Sequence, residues 1–560
     1  VSEVKIEYDD KKGRFIITSP PWDVERARAI PNRRWNKKHR AWYAPALRAN
    51  AKYILETYRK DADFSPEALL ALADAALPKP IDKKNHFPSW YKYKTNPFKH
   101  QKEANEAVYP VDHSALLMEM GTGKTKVGID VYTARAMEGV INAMVIVCPV
   151  CVRDNWVNEI ETHCPIEHSA MVLDTKKIKQ VQKWIEEPGD FKWLIVGVES
   201  LAQGRAYDYA AKFMLMHTAG MIVDESSRIK NFKATRSEKC VSLGLMSNYR
   251  MIMSGTPVTQ GIHDLYMQFE FLDSQIISIG DFYSFRNRYV IMGGFEDRQI
   301  VGYQNVEELL GYIKPFVFYA QKADVLDLPK KLFTKRIVKM SPAQSKAYKE
   351  LNSKDGETII NGNVIEIEHV LEKMLRLQQI VGGFYPTEFE DVISGKMKGE
   401  TKSLPGKNPK IEELLQVTEE IGGSTVIWCR YRHEIMLVSN ALREKYGEDS
   451  VVEYHGGIDR DQRKENINDY ESGKVRFFVG NQSAGGIGIN LVYGNTMIYY
   501  SNTFSLEERL QSEDRSHRIG QDEDVLYIDL MMEGSIDDDI IEAIRLKCDM
   551  ADYVKRKLAA

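Results

Sequence analysis

From Phe98 onward, apolar runs of strand length punctuate the chain, and each stops at a glycine or a cluster of polar residues. SALLMEM (114–120) runs into GTGKT (121–125), and KVGIDVYTARAM follows with helical spacing. AMVIVCP, WLIVGVES, GMIVDES and YRMIMSG repeat the scheme of a short apolar run ending at polar residues. Runs of about four to eight apolar residues between turn signals fit strands buried on both faces. Such strands alternating with helical stretches predict a parallel sheet covered by helices, with ligand-facing residues at the strand C-termini. A second series begins after Leu404, with TVIWCRY, SVVEYHG, VRFFVGNQ, TMIYYS and VLYIDLM. The pattern therefore predicts an α/β chain of two similar lobes, each a parallel sheet with helices on both faces. The second lobe lacks a glycine loop able to cradle a nucleotide. Residues 262–400 between the two series are mixed. HVLEKMLRLQQIV predicts a helix there, and Asn361-Gly362 is the strongest short-range hairpin signal in the chain.

The first 60 residues follow a different rhythm. KIEYDDKKGRFIIT alternates about a polar turn ending at Gly13, and RRWNKKHRAWYAP reads as a second hairpin. DVERARAI and ALRANAKYILETY have the spacing of short helices, the former stopped by Pro31. A small separate α+β domain is expected. Pro78, Pro80, Pro88 and Pro97 mark a linker after it. The expected organisation is a basic accessory domain over 1–75, a linker over 76–96, a first lobe over 97–325, a second over 326–545 and a tail over 546–560.

Bulk numbers narrow the function class. A length of 560 residues suits three or four domains at about 150 residues each. No apolar run reaches the ~18 residues of a spanning helix, and the N-terminus does not read as a signal peptide. Six scattered cysteines point to a reducing compartment rather than a disulfide framework. The net charge of −4 is unevenly spread: residues 1–60 hold 15 Lys and Arg against 7 Asp and Glu. A basic end on an otherwise acidic chain suits docking on phosphates, although a solvated charged face would read the same way.

The polar stops carry the chemistry. GTGKT follows a predicted strand and opens a helix, so backbone N–H groups of Gly121, Thr122 and Gly123 and the helix N-terminus can cradle phosphate. Lys124 would reach the β- and γ-phosphates of ATP, and Thr125 would hold Mg2+. Met118 stands where the strict phosphate-loop pattern has its first glycine. In MIVDE, Asp224 suits Mg2+ and Glu225 suits the base that orients the attacking water. QSEDRSHRIG would place Gln511, Arg515 and Arg518 on one side of a helix. Arginine is needed where charge builds on a transferred phosphoryl group. The first lobe offers no such cluster, so this one is expected to reach across a cleft that must close for hydrolysis. Gln101 in FKHQ, ahead of the loop, can read the adenine edge. His517 reads as structural.

With these blocks in view, the chain resembles the Swi/Snf-like branch of the superfamily-two helicases over about residues 97–545. DESSRIKN (224–231), SGTP (254–257), the stretch around Phe282 and Phe285, VLDLPKK (325–331), GGIGINL (485–491) and RSHRIGQ (515–521) carry the resemblance. It implies two tandem RecA-like lobes, hydrolysis of ATP with Mg2+ stimulated by double-stranded DNA, and translocation along the duplex without full strand separation. It makes Arg518 the arginine finger, with Arg515 beside it, and Ser254 and Thr256 the link between nucleotide state and DNA grip. It sets Gly486 among the nucleotide contacts, and Pro149, Ser483, Ala484 and Gly485 on the DNA. Ser227 departs from the family pattern, which commonly has His there. The region between the lobes is too short for the large regulatory insertions of nucleosome remodellers. In the accessory domain, IPNRRWNKKHRAWYAP resembles a HARP-type domain, found on fork-remodelling relatives. Trp35 and Trp42 flank its basic turn as candidate DNA contacts.

Cys148, Cys151, His163 and Cys164 superficially fit a zinc pattern, but Cys148 belongs to a buried strand and the block to a DNA-contact position, so no zinc is expected. The expected function is a DNA-dependent ATPase translocating on double-stranded or branched DNA, as a monomer or assembled on DNA. Fork or recombination-intermediate remodelling and displacement of bound proteins are its candidate tasks. A nucleotide-gated DNA clamp and an RNA helicase are the alternatives. Intact Lys124, Glu225 and Arg518 argue against the first, and the RIKN and GINL blocks against the second. The compact architecture suggests the cytoplasm of a bacterial or phage-infected cell rather than a nucleus.

Overall fold

A computed structural model describes all residues except 1–3, 31–32, 47, 82–85, 295–298, 327, 354–357, 361–362, 366–369, 391–396, 486–488 and 560. The first lobe is built on a seven-stranded sheet. Its strand order is Val317–Ala320, His113–Met118, Arg250–Met253, Ala219–Asp224, Ala143–Cys148, Phe191–Gly197 and His168–Val172. Every neighbouring pair is parallel. The second lobe has six strands, ordered Lys331–Val338, Val525–Met532, Thr496–Tyr499, Thr425–Cys429, Phe477–Asn481 and Val451–Tyr454, again all parallel. These are two RecA-like lobes.

Alternation of side chains along each strand divides the cores. In Ala143–Cys148, Val145 and Val147 join the core on one face of the first sheet, while Met144, Ile146 and Cys148 join that on the other. In the second lobe Ile427 and Cys429 face one core, Val426 and Trp428 the opposite one. Burying each such side chain stabilises the fold by about 1.5–3 kcal/mol. Helices cover both faces, so the strands read as unbroken apolar runs.

Three strands fall outside the apolar runs picked out in the sequence: His168–Val172, Val317–Ala320 and Lys331–Val338. All three lie at sheet edges. An edge strand is half exposed and tolerates polar residues, and Lys331–Val338 accordingly reads KLFTKRIV.

The N-terminal domain is a five-stranded sheet ordered Arg34–Asn36, Ala41–Pro45, Arg14–Thr18, Val4–Asp9, Ala62–Phe64. Both expected hairpins form. Helices Arg48–Tyr58 and Pro66–Ala76 pack on it through Ala51, Ile54, Tyr58, Ala68 and Leu72. The segment that follows docks on the first lobe: Tyr91 is buried and its hydroxyl donates to Asp130 Oδ1 at 3.0 Å. The Asn361-Gly362 turn lies outside the described residues. The strands on either side of it, Thr358–Ile360 and Asn363–Ile365, pair antiparallel.

A 24-residue helix, Ile536–Ala559, ties the two lobes together. Ile536 and Ile540 pack in a second-lobe core, whereas Val554 and Leu558 belong to a first-lobe core. No helix among the described residues is long and apolar enough to cross a membrane.

Candidate nucleotide and nucleic-acid site

Strand His113–Met118 ends at the glycine loop, and helix Lys124–Met137 begins at its far side. Gly121 and Gly123 have φ of 80° and 81°, in the left-handed region. Gly123 also packs closely on Gln101: a Cβ there would lie 2.1 Å from Gln101 Nε2, and the amide would have to move. That amide donates to Thr122 O at 3.2 Å, while Gln101 Oε1 accepts from Phe98 N at 2.9 Å. His100 Nε2 lies 2.8 Å from the same Thr122 carbonyl. Gln101 thus braces the loop in addition to standing beside it. Lys124 is buried and its ammonium donates to Met118 O at 2.8 Å and Glu119 O at 3.3 Å. Thr125 occupies the first helical turn, half-buried.

Asp224 ends strand Ala219–Asp224, and Glu225 follows with φ 48°. A left-handed non-glycine residue costs about 1–2 kcal/mol, and such strain gathers at functional sites. Asp224 Oδ1 accepts from Glu225 N, and Oδ2 from Trp156 Nε1, both at 2.9 Å. Glu225 is buried and its Oε2 has no hydrogen-bond partner among the described residues. Burial raises both carboxyls, opposed by Lys124, and pushes Glu225 up to about 7. Hard oxygen donors at Asp224 and Thr125, beside a buried carboxylate oxygen without a partner, fit a Mg2+–phosphate group. Ser254 and Thr256 follow strand Arg250–Met253. Ser254 Oγ accepts from Thr256 N at 3.0 Å, and the buried Thr256 hydroxyl has no partner among the described residues.

The second lobe meets this loop through residues 511–521, but not along one helix as expected. The helix is Leu506–Glu513. Gln511 lies in it, and Arg515 and Arg518 lie in the turns beyond. The helix stops because the next residues zip onto the second-lobe chain: Leu491 N donates to Arg515 O, and Arg515 Nη1 donates to Ile489 O, each at 3.1 Å. Burial lowers the Arg515 guanidinium to about 10, countered by negative charges that include Asp514 and, across the cleft, Glu225. Arg518 is half-buried and makes no side-chain hydrogen bond or ion pair among the described residues. It sits at the phosphate loop, since a Cβ on Gly121 would come within 4.0 Å of Arg518 Cβ. Arg228 Nε and Glu507 Oε1 also cross the cleft, 3.4 Å apart, and Gln511 Nε2 donates to Glu507 at 3.2 Å.

The candidate DNA contacts are more dispersed. Pro149 is buried directly after strand Ala143–Cys148. Ser483 is exposed, its hydroxyl donating to the Asn481 amide oxygen. Ala484 and Gly485 complete the short helix Gln482–Gly485, and Gly486 lies outside the described residues. Trp35 and Trp42 face each other across their hairpin with ring centroids 4.9 Å apart. Trp35 is 45% exposed, while Trp42 is half-buried.

Two features escape a reading of the sequence. Trp156, to which the sequence assigns no site role, is the donor that orients Asp224. Lys230, Arg430 and Lys547 line one polar cleft of about 470 Å³ together with Asn481 and Ser483. Arg430 follows the apolar run TVIWC, as a strand-end residue at a ligand site should. Lys547 gave no signal, because it arrives on the C-terminal helix.

Two nucleotide-type lobes with a phosphate loop on one and arginines on the other define a nucleotide-hydrolysing motor core. The sequence matches the SNF2-related domain over residues 100–383 and the helicase conserved C-terminal domain over 406–520. The chain belongs to the SNF2-related family, and the matched span is a DNA-dependent ATPase core that uses ATP with Mg2+. It is similar to a probable chromatin-remodeling complex ATPase chain of Oryza sativa, with 27% identity over 431 residues, 76% of this chain and 37% of the relative. The ISWI chromatin-remodeling complex ATPase ISW1 of Saccharomyces cerevisiae is 26% identical over 437 residues, 76% of this chain and 37% of its own. The chain therefore spans somewhat over a third of these relatives' length. Among solved structures, the Sulfolobus solfataricus SWI2/SNF2 ATPase core in complex with dsDNA aligns at 20% identity and a TM-score of 0.38, covering 84% of this chain and 95% of that one. The expectation of a bacterial or phage cytoplasm is corrected here. Relatives in rice, Arabidopsis and yeast are chromatin-remodeling complex ATPases and one in mouse is a regulator of chromatin, which points away from a cytoplasmic setting.

Proposed function

We propose that this protein is an ATP-driven translocase on double-stranded or branched DNA, which remodels forks or recombination intermediates or displaces bound proteins. The observation that carries this reading is the seating of the second-lobe segment 514–518 on the first-lobe phosphate loop, with Arg518 against Gly121. Such a composite site makes hydrolysis depend on how the lobes meet, and a motor needs that dependence.

In this reading Lys124 and the amides of residues 121–123 grip the phosphates. Gln101 reads the adenine, with Gly486 and Gln511 completing the nucleotide contacts. Glu225 orients the attacking water and takes its proton, a role suited to a carboxyl raised by burial. Arg518, with Arg515, stabilises charge on the transferred phosphoryl group. Thr125 and Asp224 would hold Mg2+, which neutralises phosphate charge. Ser254 and Thr256 link the nucleotide to DNA grip. Pro149, Ser483, Ala484 and Gly485 contact the duplex, and the cations of the Lys230–Arg430–Lys547 cleft supply attraction for its phosphates.

The division into a 1–75 accessory unit, a 76–96 linker, lobes over 97–325 and 326–545 and a 546–560 tail belongs to this reading. It is supported by the separate sheets. The accessory unit is read as HARP-like, with the exposed Trp35 and the basic turn beside it directed at unpaired DNA.

Displacement of a third strand from a triplex tests translocation directly. A translocase displaces it with ATP and leaves the underlying duplex paired. Failure to displace it, or unwinding of an ordinary duplex, would overturn the reading.

A further inference from the structure

The chain crosses from the first lobe to the second between strands Val317–Ala320 and Lys331–Val338, and among the described residues of this crossing one is buried. Lys322 is 5% exposed. Its backbone N–H donates to Glu119 Oε2 at 3.0 Å, so the crossing is tied to the residue two places before Gly121. Its ammonium lies 2.8 Å from Asp514 Oδ1 and donates to His517 O at 3.0 Å. These two residues flank Arg515. A Cβ on Gly121 would lie 3.5 Å from Lys322 Cε, so the lysine stem also touches the phosphate loop.

Both anchors are themselves held. Glu119 Oε1 accepts from Lys555 of the C-terminal helix at 2.9 Å. Asp514 Oδ1 is 3.4 Å from Lys331, whose ammonium also reaches Glu513 at 3.2 Å. Two lysines hold the half-buried Asp514 carboxyl down at about 2, against the opposing effect of desolvation. Taking ions out of water costs several kcal/mol each, and apolar replacements are often as stable. A partly buried ion chain of this kind is therefore a weak means of stabilisation, and what it does supply is a fixed geometry between the groups it joins. The ammonium of Lys322 is engaged by the second-lobe acceptors Asp514 and the His517 carbonyl, and the residue lies on the connector.

We propose that Lys322 is a positioning residue for ATP hydrolysis. It sets the register of the Arg515–Arg518 segment against the phosphate loop, so that movement of the connector brings the arginines to the nucleotide or withdraws them. This rests on the reading of Arg518 as the group that completes the site. A displacement of about 1 Å at such a group can cost about 10²-fold in rate.

The test is steady-state ATPase of the full chain at saturating duplex DNA, together with binding of a fluorescent ATP analogue. Lys322→Met should lower kcat by about 10–100-fold and leave analogue affinity within about threefold. Lys322→Arg should recover part of the rate, because a guanidinium can still reach Asp514 and the His517 carbonyl. Lys322→Met alone leaves the half-buried Asp514 carboxylate with Lys331 as its remaining lysine partner, so the Lys322→Met/Asp514→Asn pair guards against misfolding. Its kcat should stay low and be no lower than that of the worse single variant, as for two members of one unit. Wild-type kcat in Lys322→Met would overturn the proposal. So would equal loss of kcat and analogue affinity, or full recovery of kcat in the neutral pair, which would reduce Lys322 to a structural residue. Arg518→Ala separates the two layers. If it keeps its turnover, the underlying reading fails. If it loses turnover while Lys322→Met does not, only the present inference fails.

Discussion

Trp156 Nε1 donates a 2.9 Å hydrogen bond to Asp224 Oδ2, joining two residues 68 positions apart. Both are held by structure: Trp156 is 2% exposed, and Asp224 ends the central strand Ala219–Asp224. The indole fixes one carboxylate oxygen, and the Glu225 amide fixes the other. Outer partners of this kind are worth about 10–100-fold in metal affinity or activity. Trp156→Phe keeps most of the ring volume and removes the donor. Its Mg2+ titration of ATPase activity should shift to higher concentration by about tenfold. An unchanged Mg2+ dependence would return Trp156 to a packing role.

Glu225 gives a pH prediction with a defined sign. Burial raises its carboxyl to about 7. A base must be unprotonated, so kcat/KM should climb with pH through about 7 and flatten above it. Glu225→Gln should bind ATP and lose about 10²–10⁴ in turnover. The same shift bears on stability. A carboxyl whose folded value lies above its unfolded value contributes stability at low pH and loses it as pH rises through the folded value. Glu225→Gln without nucleotide should therefore melt higher than the parent at pH 8, and the gap should close near pH 4. A pH-independent gap would contradict the buried-carboxylate account.

The residues legible in the sequence are those whose roles are local. GTGKT, Asp224-Glu225 and the central strands declare themselves because a buried parallel strand must be apolar and a phosphate loop must be glycine-rich. Among the edge strands, Val451–Tyr454 declares itself as SVVEYHG, whereas Lys331–Val338 does not, because a half-exposed strand needs no apolar run, as KLFTKRIV illustrates. The helix carrying Gln511 was expected to run on through Arg515, but it ends at Glu513. Its competitor is the pairing of Arg515 with Ile489 and Leu491, more than twenty residues away. Trp156, Lys322 and Lys547 were missed for one reason: each acts on a partner brought near only by the tertiary fold.

Arg518 is expected to act on rate rather than on binding. Arg518→Ala should lose about 10³–10⁵ in kcat with ATP affinity little changed. Arg518→Lys should not restore it, because a point charge lacks the planar fork. Titration with ATP over a range of enzyme variants separates kcat from KM, and retention of most turnover in both variants would remove Arg518 from the site.

The N-terminal domain should contribute DNA preference without touching hydrolysis chemistry. Removing residues 1–75 should leave ATP binding intact and weaken binding to forked DNA more than to plain duplex. The lost affinity should be strongly salt-dependent. Trp35→Ala alone should cost about 1–3 kcal/mol on a substrate with unpaired bases if its exposed ring stacks on one. Equal losses on fork and duplex, read by fluorescence anisotropy, would make the domain a general electrostatic anchor.

The most direct test of the whole account is the ATPase rate of the intact chain with no nucleic acid, duplex DNA, forked DNA and RNA. Duplex and forked DNA should raise kcat at least tenfold, because DNA bound across both lobes would hold Arg518 in its place at the phosphate loop during turnover, a contribution of the arginine-finger kind. RNA should raise it little. An ATPase rate equal under all four conditions, or raised by RNA as much as by duplex, would contradict a DNA-driven motor.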